Sequence, residues 1–411
     1  MLLAWGPAGP EGGLAGRRVA ITGLGVVSNA GIGLEQFWSG LCGPAPAPGP
    51  SRPVTDFDPS AWFGPKEVRH IDRSAQLAVA AAAMAVDDAG PAGAGPIEVD
   101  PARAGVVMGT GVGGIGALEV QVGVLLSRGP GRVSPFLIPM MMANRGVAAI
   151  SMRLGWRGPC ETTVTACAAG TQAIASAARL VASGRCHLAI GGGAEAAITP
   201  VGMAGFTNMT ALSCSGVSRP FDRDRDGFVM GEGAGVLVLE DWDHAVARGA
   251  RIYAELAGGA STADAHHITA PAPGGAGAAA CMELALADAC LVAPDITHIN
   301  AHGTSTPLND AAEAEAIAKV FGTPGPAVTS IKGITGHSLG AAGGIEAVAA
   351  VLSIVRGEIP PTAGYANPDP SICLDVVGGS ARTWTPGPVI SNSFGFGGHN
   401  GSLVILPPPL V

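Results

Sequence analysis

The sequence has few charged and few aromatic residues for its length. Of its 411 residues, 13% are charged and 4% are aromatic, whereas 47% are hydrophobic. So large an apolar fraction excludes a disordered or fibrous chain and predicts many buried helices and strands. Because the chain has 63 glycines and few rings, its packing must rely on small side chains and close backbone approach.

Long runs of one residue class are also missing. The net charge is −9 and no block of five Lys/Arg residues occurs, which argues against nucleic acid or an anionic membrane as the main partner. No run of 18 apolar residues is free of Gly, Pro or charge, and the first sixteen residues lack a basic start followed by an apolar stretch. We therefore expect a cytoplasmic protein that does not span a membrane.

The eight cysteines are scattered, with no CxxC pair and no Cys/His spacing that suits zinc. We expect no metal site and no disulfide framework, and most of these cysteines should be small buried hydrophobes. A cysteine with a chemical role must then be identified by its local setting.

Strand and helix patterns alternate along most of the chain. After a loose tail at 1–16, buried strand patterns that enter Gly-rich turns recur with apolar helices between them. The same alternation in 17–260 and 261–411 predicts a layered α/β protein, with two related halves as a possibility.

The segment VTACAAGTQAI places Cys167 between a short strand and the start of a helix. Unpaired N–H groups at a helix N-terminus stabilise a thiolate, and the small residues after the cysteine let a substrate approach. The segment therefore suggests an activated nucleophile, and a packed core cysteine is equally open at this point.

Two further segments carry histidines at Gly-bounded strand ends. NAHGTST contains His302, and SIKGITGHSLGAAG sets Lys332 and His337 five residues apart in a Gly-rich loop before an Ala-rich helix that contains Glu346. Either histidine alone is more often structural, but a cysteine, two histidines and a lysine in such positions indicate a catalytic site.

The segment SNSFGFGGHN alternates Phe394 and Phe396 with glycines. Its backbone can approach a ligand closely and can also move, although a bulged hairpin with no chemical role is equally open.

Together these segments resemble the β-ketoacyl-[acyl-carrier-protein] synthases of the elongating type II fatty acid synthase class. The similarity runs from RRVAITGLGVVSNAG through RPFDRDRDGFVMGEGAGVLVLE and DAHHITAP to SNSFGFGGHNGSLVI, over about residues 17–408. The resemblance implies a thiolase-like fold, a five-layered αβαβα sandwich of two similar halves, normally a homodimer.

The resemblance also implies roles for particular residues. Cys167 matches the nucleophile that carries the acyl chain, His302 and His337 the pair that handles malonyl-thioester decarboxylation, and Lys332 the lysine beside them. The backbone N–H groups of Cys167 and Phe396 match the oxyanion hole. Further matches are a carboxylate that orders the network, with a possible monovalent cation (Glu346), a gating loop (Phe394, Phe396) and contacts to the phosphopantetheine arm (Thr304, Thr306).

Some positions depart from the family or leave the substrate open. Ala168 and Ala169 replace frequent hydroxyl residues, and His399 stands where Thr is common. Val112 matches a position that lines the acyl pocket in relatives, with plain core packing as the alternative. For the acidic carrier protein, the candidate docking residues are Lys66, Arg69, Arg73 and Arg132, which could also be ordinary solvated charges.

Three functions follow from the resemblance. The leading one is fatty acid elongation by decarboxylative condensation with malonyl-carrier, which requires no redox cofactor or metal. The second is the ketosynthase subunit of a dissociated type II polyketide synthase, which would form a heterodimer with a chain-length subunit. A non-catalytic paralogue is disfavoured because Cys167, His302, Lys332 and His337 are all present, and a thiolase is disfavoured because SFGFGGHNG lacks a second cysteine.

Overall fold

The computed structural model describes residues 16–90 and 97–409, so the predicted tail lies almost wholly outside it. We label the strands of three or more residues and the helices of five or more in chain order. The strands are β1 Val19–Ser28, β2 Ala104–Gly109, β3 Cys160–Thr163, β4 Leu188–Glu195, β5 Gly233–Asp241, β6 Ala254–Ala263, β7 His298–Asn300, β8 Ala327–Thr329, β9 Val389–Gly395 and β10 His399–Leu406. The helices are α1 Leu34–Leu41, α2 Arg73–Ala89, α3 Ile115–Arg128, α4 Leu137–Met141, α5 Arg145–Leu154, α6 Ala169–Ala182, α7 Pro200–Asn208, α8 Trp242–Ala247, α9 Ala276–Asp288, α10 Pro307–Phe321 and α11 Ala342–Arg356.

The strands form two sets with the same order. In the first set β3, β2, β4, β5 and β1 are neighbours in that sequence, and in the second β8, β7, β9, β10 and β6 are. In each set the first three neighbours are parallel and the last two pairings are antiparallel. The two sets meet where β1 pairs with β6 over two residues. The strand order supports a duplicated architecture. The boundary predicted at residue 260 falls inside β6, which is the first strand of the second set in chain order.

Helices cover both sheets and fill the space between them. Helix α2 packs on β1, β4 and β5, with α5 beside it on β2 and β3, whereas α9 packs on β6 and β10 and contacts α10. Helices α6 and α11 contact strands of both sets. The layers are therefore helix, sheet, helix, sheet, helix, which confirms the five-layered thiolase-like sandwich.

Glycine and alanine make the central layer possible. A Cβ atom added at Gly235 of β5 would lie 2.2 Å from the backbone of Gly344 in α11, so the strand and the helix touch through their backbones. The stretch Leu339–Arg356 is apolar and long enough to cross a membrane, but 89% of it is buried inside the protein. Its hydropathy thus reflects its place between the two sheets.

The chemistry-bearing segments follow strands whose ends converge. Cys167 follows β3, His302 follows β7, Lys332 follows β8, and Phe394 lies in β9. Because β7, β8 and β9 are parallel, their carboxyl ends open at one edge of their sheet, and the turn that carries Cys167 reaches the same region from the other set of strands.

Candidate active site

Cys167 lies in a tight turn between β3 and α6. The turn is a 3₁₀ helix over Ala166–Ala168, and Ala166 has the left-handed φ of 49° that lets the chain reverse there. The thiol is buried, and its Sγ lies 3.0 Å from Nε2 of His337. The backbone N–H of Phe396 also donates to this sulfur. The predicted placement between a strand and a helix start is therefore what the structure has.

The resting thiol is not a stabilised thiolate, contrary to the sequence-based expectation. Burial raises the pKa of Cys167 to about 12, and the cation of Lys332 and the Phe396 N–H offset only part of that effect. Cys167 lies within the 3₁₀ turn, one residue short of α6, and its apolar surroundings disfavour the anion. The sulfur must therefore lose its proton as it attacks.

The two histidines are neutral and face each other. Their ring centroids are 5.3 Å apart at an angle of 84°. Burial, followed by the nearby Lys332 cation, holds the pKa of both His302 and His337 well below the usual value. At neutral pH each ring can therefore present one N–H donor without carrying a charge.

Lys332 fixes the orientation of His302. Its Nζ donates to the His302 carbonyl oxygen over 2.6 Å, lies 3.3 Å from Nδ1 of the same residue, and forms a buried ion pair with Glu346. Because the ammonium has only donors, Nδ1 must accept and the ring proton resides on Nε2. Lys332 belongs to a short helix, Lys332–Thr335, rather than to the glycine loop that we predicted.

The Glu346 carboxylate lies beside a group of oxygens suited to a cation. Its Oε2, Oδ1 of Asn300 and Oγ of Ser391 are buried without a hydrogen-bond partner among the described protein atoms. Asn300 and Ser391 are register partners on β7 and β9, and Asn300 donates to the Glu346 carbonyl. Such hard oxygen donors fit an alkali-type cation, so the residues agree with the possible monovalent ion.

Cys167 and the two histidines also satisfy the basic geometry of a metal site. Their donor atoms all lie within 4.8 Å of one another, and all three residues are buried. However, Lys332 keeps the proton of His302 on Nε2, so this ring has no free lone pair toward the cavity. The arrangement suits donation of hydrogen bonds to a substrate oxygen better than metal ligation.

A cavity of about 350 Å³ leads from the surface to the Cys167 thiol. Thr304 and Thr306 line it and are hydrogen-bonded to each other at 2.9 Å, and Phe394 and Phe396 form part of its wall. The structure thus brings these four predicted residues together with the catalytic candidates. Val112 is 44% exposed and is not among the described residues that line this cavity.

The glycine segment that carries Phe396 is bonded to a neighbouring loop. Gly397 N–H donates to the Ile268 carbonyl and Asp264 N–H donates to the Gly398 carbonyl, each over 2.8 Å. The Asp264 carboxylate accepts from Asn400 and from Ala272 N–H. We did not single out Asp264 from the sequence, although it begins the DAHHITAP segment.

Two buried carboxylates near the site were also missed. Glu313 accepts from His302 N–H and Gly303 N–H over 2.7 and 2.6 Å, and burial raises its pKa to about 8. Glu195, at the end of β4, binds Thr110, Gly111 and Gly340. In the sequence each is one acidic residue among many. Its partners come from other chain segments, so its role is visible only in the folded structure.

The predicted docking residues do not behave alike. Lys66, Arg69 and Arg132 are exposed, as a docking surface requires. Arg73 instead binds the buried Glu232 through two nitrogens and donates to the Val54 carbonyl over 2.8 Å. Arg73 thus has a partner within the chain while its side chain stays 41% exposed, so its docking role remains a prediction.

The duplicated five-layered fold, with a thiol, two neutral imidazoles and a lysine where its halves meet, defines a condensing enzyme of the thiolase-like class. The chain belongs to the β-ketoacyl synthase family: the family's N-terminal domain matches residues 16–245 and its C-terminal domain matches residues 253–366.

Proteins with known names and structures extend this similarity over nearly the whole chain. A 3-oxoacyl-[acyl-carrier-protein] synthase 2 from Synechocystis sp. is 46% identical, covering 94% of this chain and 97% of that protein. The enzyme of the same name from Vibrio harveyi is 41% identical over 94% and 98%.

Solved structures show the same fold. The ishigamide ketosynthase/chain length factor superimposes with a TM-score of 0.90 at 37% identity, over 96% of this chain and all of that one. A type II polyketide ketosynthase in complex with its acyl-carrier protein gives 0.88 at 30% identity, over 96% and 100%.

Proposed function

We propose that this protein is a 3-oxoacyl-[acyl-carrier-protein] synthase that elongates fatty acids by decarboxylative condensation. The observation that carries the proposal is the arrangement of Cys167, His337, His302 and Lys332 around one cavity. The named relatives, at 46% and 41% identity, support the same reaction.

In the first step Cys167 takes the acyl chain from its carrier. Sγ attacks the thioester carbonyl, the bond to the phosphopantetheine sulfur breaks, and the thiol proton passes to that leaving sulfur. His337 Nε2, 3.0 Å from Sγ, donates its N–H toward the sulfur and stabilises the charge that develops there as the proton leaves. The N–H groups of Cys167 and Phe396 stabilise the oxygen on which charge develops.

In the second step a malonyl thioester enters and loses carbon dioxide. The carbon–carbon bond to the carboxylate breaks and its electron pair forms an enolate, whose oxygen accepts hydrogen bonds from Nε2 of His302 and of His337. Neutral donors suit this step because their hydrogen bonds to the thioester oxygen strengthen as negative charge develops on it. They bind the uncharged oxygen of the ground state only weakly. The carbanion then attacks the Cys167 thioester, which gives the 3-oxoacyl product and releases Cys167 as a thiolate that takes a proton from solvent water.

The remaining cavity residues fit the carried substrate. Thr304 and Thr306 present hydroxyls along the channel, where the amides of a phosphopantetheine arm would pass. Phe394 and Phe396 line the cavity together with Cys167, so the loop that contains them would gate the acyl chain. The oxygens of Glu346, Asn300 and Ser391 would hold a monovalent cation that neutralises the carboxylate behind Lys332.

The proposal includes the partners and the place of action. The carrier protein, which is acidic, would dock at the exposed Lys66, Arg69 and Arg132, and two copies of the chain would form a homodimer in the cytoplasm. We also propose that residues 17 to about 250 act as the half that bears the nucleophile, and the remainder as the half that bears the histidines. The strand order supports that division.

A second function is favoured by the structural comparisons. One structural relative is a type II polyketide ketosynthase, and another is a ketosynthase with a chain length factor. The alternative is therefore that this chain works with a chain-length partner, through the same condensation chemistry.

The reaction is tested directly with purified protein, acyl-carrier and malonyl-carrier. We expect release of carbon dioxide, formation of a 3-oxoacyl thioester, and one acyl adduct on Cys167 by intact-mass spectrometry. Cys167→Ala should lose condensation, whereas Cys281→Ala, a change at another buried cysteine outside the cavity, should keep it. Condensation at the wild-type rate by Cys167→Ala would refute the assignment of the nucleophile. An acyl-chain panel with and without a chain-length subunit separates the two pathways.

A further inference from the structure

The duplicated fold contains a second turn that matches the nucleophile turn. Before α6 the chain forms a 3₁₀ turn over Ala166–Ala168, and before α11 it forms one over Leu339–Ala341. The first residues of the two turns have nearly the same left-handed φ, 49° at Ala166 and 47° at Leu339. In chain order the first turn follows β3 and the second follows β8, which are the third strands of their sets. Gly340 therefore stands where the first half has Cys167.

The carboxylate of Glu195 occupies this second turn. Gly340 N–H, the counterpart of the Cys167 N–H, donates to its Oε2 over 3.1 Å, and Gly111 N–H donates to the same oxygen over 2.6 Å. Thr110 Oγ1 donates to Oε1 over 2.9 Å, and Val112 N–H also donates. The carboxylate thus lies where a reacting oxyanion would lie if this turn carried a nucleophile.

The turn before α6 and the turn before α11 lie in close contact around the Glu195 carboxylate. A Cβ atom at Gly170, three residues after Cys167, would lie 2.9 Å from the Gly340 carbonyl, and one at Gly111 would lie 3.8 Å from the Ala166 carbonyl. Leu339 packs against Cys167 and lines the cavity. A shift of the second turn must therefore move the wall of the catalytic cavity.

We propose that Glu195 is a positioning residue for acyl transfer, whose carboxylate fills the duplicated, cysteine-less oxyanion site and holds Leu339 and the Gly111–Val112 segment against the Cys167 turn. This inference rests on the proposed condensation, because its consequence is the rate of acyl loading. The negative charge of Glu195 also acts on the thiol, because it raises the pKa of Cys167. Burial raises the pKa of Glu195 itself to about 7, so the charge appears near neutral pH.

Glu195→Gln should change two rates at the Cys167 thiol in opposite directions. Loss of positioning slows acyl transfer, whereas loss of the negative charge quickens alkylation. The amide cannot accept all the N–H groups that face it, so acyl transfer from the carrier to Cys167 should slow by about tenfold or more. The same change removes a negative charge near the thiol, so alkylation of Cys167 by iodoacetamide at pH 8.5 should quicken about threefold. The wild-type alkylation profile should bend near pH 7, and the variant profile should not. A loss of overall packing would slow acyl transfer as well, but it would also open other buried cysteines such as Cys281 to alkylation.

Two variants serve as controls. Thr110→Val removes two hydrogen bonds, the one that Thr110 donates to Glu195 and the one that it accepts from Gly113 N–H, but it keeps the charge, so acyl transfer should slow while the alkylation profile keeps its bend. Glu240→Gln changes a fully buried carboxylate near the other end of β4, bound to Thr22, His244 and Arg248, and should leave both readouts unchanged. If Glu195→Gln does not fold, Thr110→Val with a wild-type rate of acyl transfer would overturn the proposal.

The inference and the proposed function fail in different ways. Wild-type acyl transfer and an unchanged alkylation profile in Glu195→Gln would overturn the role of Glu195. Absence of condensation by the wild-type protein would refute the function, and the alkylation profiles would still measure the action of Glu195 on the thiol.

Discussion

At the scale of single residues, the site is built on buried polar groups whose charge is suppressed. Cys167, His302 and His337 are all shifted toward their neutral forms by burial, and only Lys332 and Glu346 form an ion pair. Because charge develops on the substrate rather than on these groups, neutral donors cost little reorganisation during the reaction. The low polarity around them therefore belongs to the catalytic arrangement.

His298, a buried histidine outside the catalytic group, shows how burial of a titratable side chain makes stability depend on pH. It is fully buried in β7, its two ring nitrogens have no partner among the described atoms, and burial lowers its pKa to about 3. The unfolded chain takes up a proton below pH 6.5 that the folded chain cannot hold. Its contribution to stability is thus fully present above that pH and is lost as the pH falls toward 3.

We expect His298→Phe to reduce the acid sensitivity of the fold. From pH 7 to pH 5 the wild-type free energy of unfolding should fall by about 2 kcal/mol more than that of the variant. Urea unfolding at both pH values measures this, with His267→Phe, a change at an exposed histidine, as the control. Equal pH dependence in the wild-type protein and His298→Phe would contradict the explanation.

At the scale of elements, the loop 264–271 supports the glycine segment that carries Phe396. Asp264 joins the two through its own N–H and through its carboxylate, which accepts from Asn400. There is little room for another arrangement, because a Cβ atom at Gly398 would lie 2.7 Å from the Asp264 side chain. The position of the Phe396 N–H at the thiol therefore depends on this contact.

Asp264→Ala should slow acyl loading without unfolding the protein. Loss of the carboxylate frees the loop pair, so the Phe396 N–H spends less time at Sγ, and loading of Cys167 should fall about tenfold. The rate is measured by intact-mass spectrometry on quenched samples. Asp100→Ala removes a carboxylate that likewise accepts a backbone N–H, from Ala102, but lies away from the cavity, and it should load at the wild-type rate. If both variants loaded equally fast, the coupling of the loops would be refuted.

The sequence predicts elements better than it predicts what holds them together. The strand–turn–helix around Cys167, the strand before His302 and the helix with Glu346 all follow from local patterns. Lys332 was expected in a loop because glycines flank it, yet tertiary contacts fold its segment into a turn of helix. The raised pKa of Cys167 also escaped prediction, because burial depends on chain segments far away in sequence.

The same limit explains Arg73 and Glu195. Arg73 looked like a surface cation, but its partner Glu232 lies 159 residues away. The bonds of Glu195 come from residues 84 and 145 positions away. Motifs report residues that share a segment, whereas these pairs form only when distant segments come together in the folded chain.

At the scale of the whole molecule, the first half has an unpaired strand edge and a helix with exposed apolar side chains. Strand β3 is paired only with β2, so its other edge is free among the described residues. Helix α3 has only Ala117 buried, and apolar side chains such as Leu126, which is 82% exposed, face outward from it. A free strand edge beside exposed apolar side chains is a site for association.

A second copy of the chain fits this surface. Antiparallel pairing of β3 with its copy would continue the sheet across a two-fold axis, and the α3 helices would cover each other's apolar residues. The exposed Val112, which precedes α3, would then be covered as well. This would reconcile its predicted role in the acyl pocket with its exposure in one chain.

We therefore expect the wild-type protein to sediment as a dimer, and Thr162→Pro combined with Leu126→Glu to sediment as a monomer. Proline removes an N–H donor from the free edge, and the carboxylate opposes burial of α3. Val246→Glu, a matched change at an exposed valine of α8, should remain dimeric. The monomer should also load long acyl chains more slowly than short ones, because Val112 then borders solvent. A wild-type protein that is monomeric alone and dimerises only with a chain-length subunit would refute the homodimer and favour the polyketide alternative.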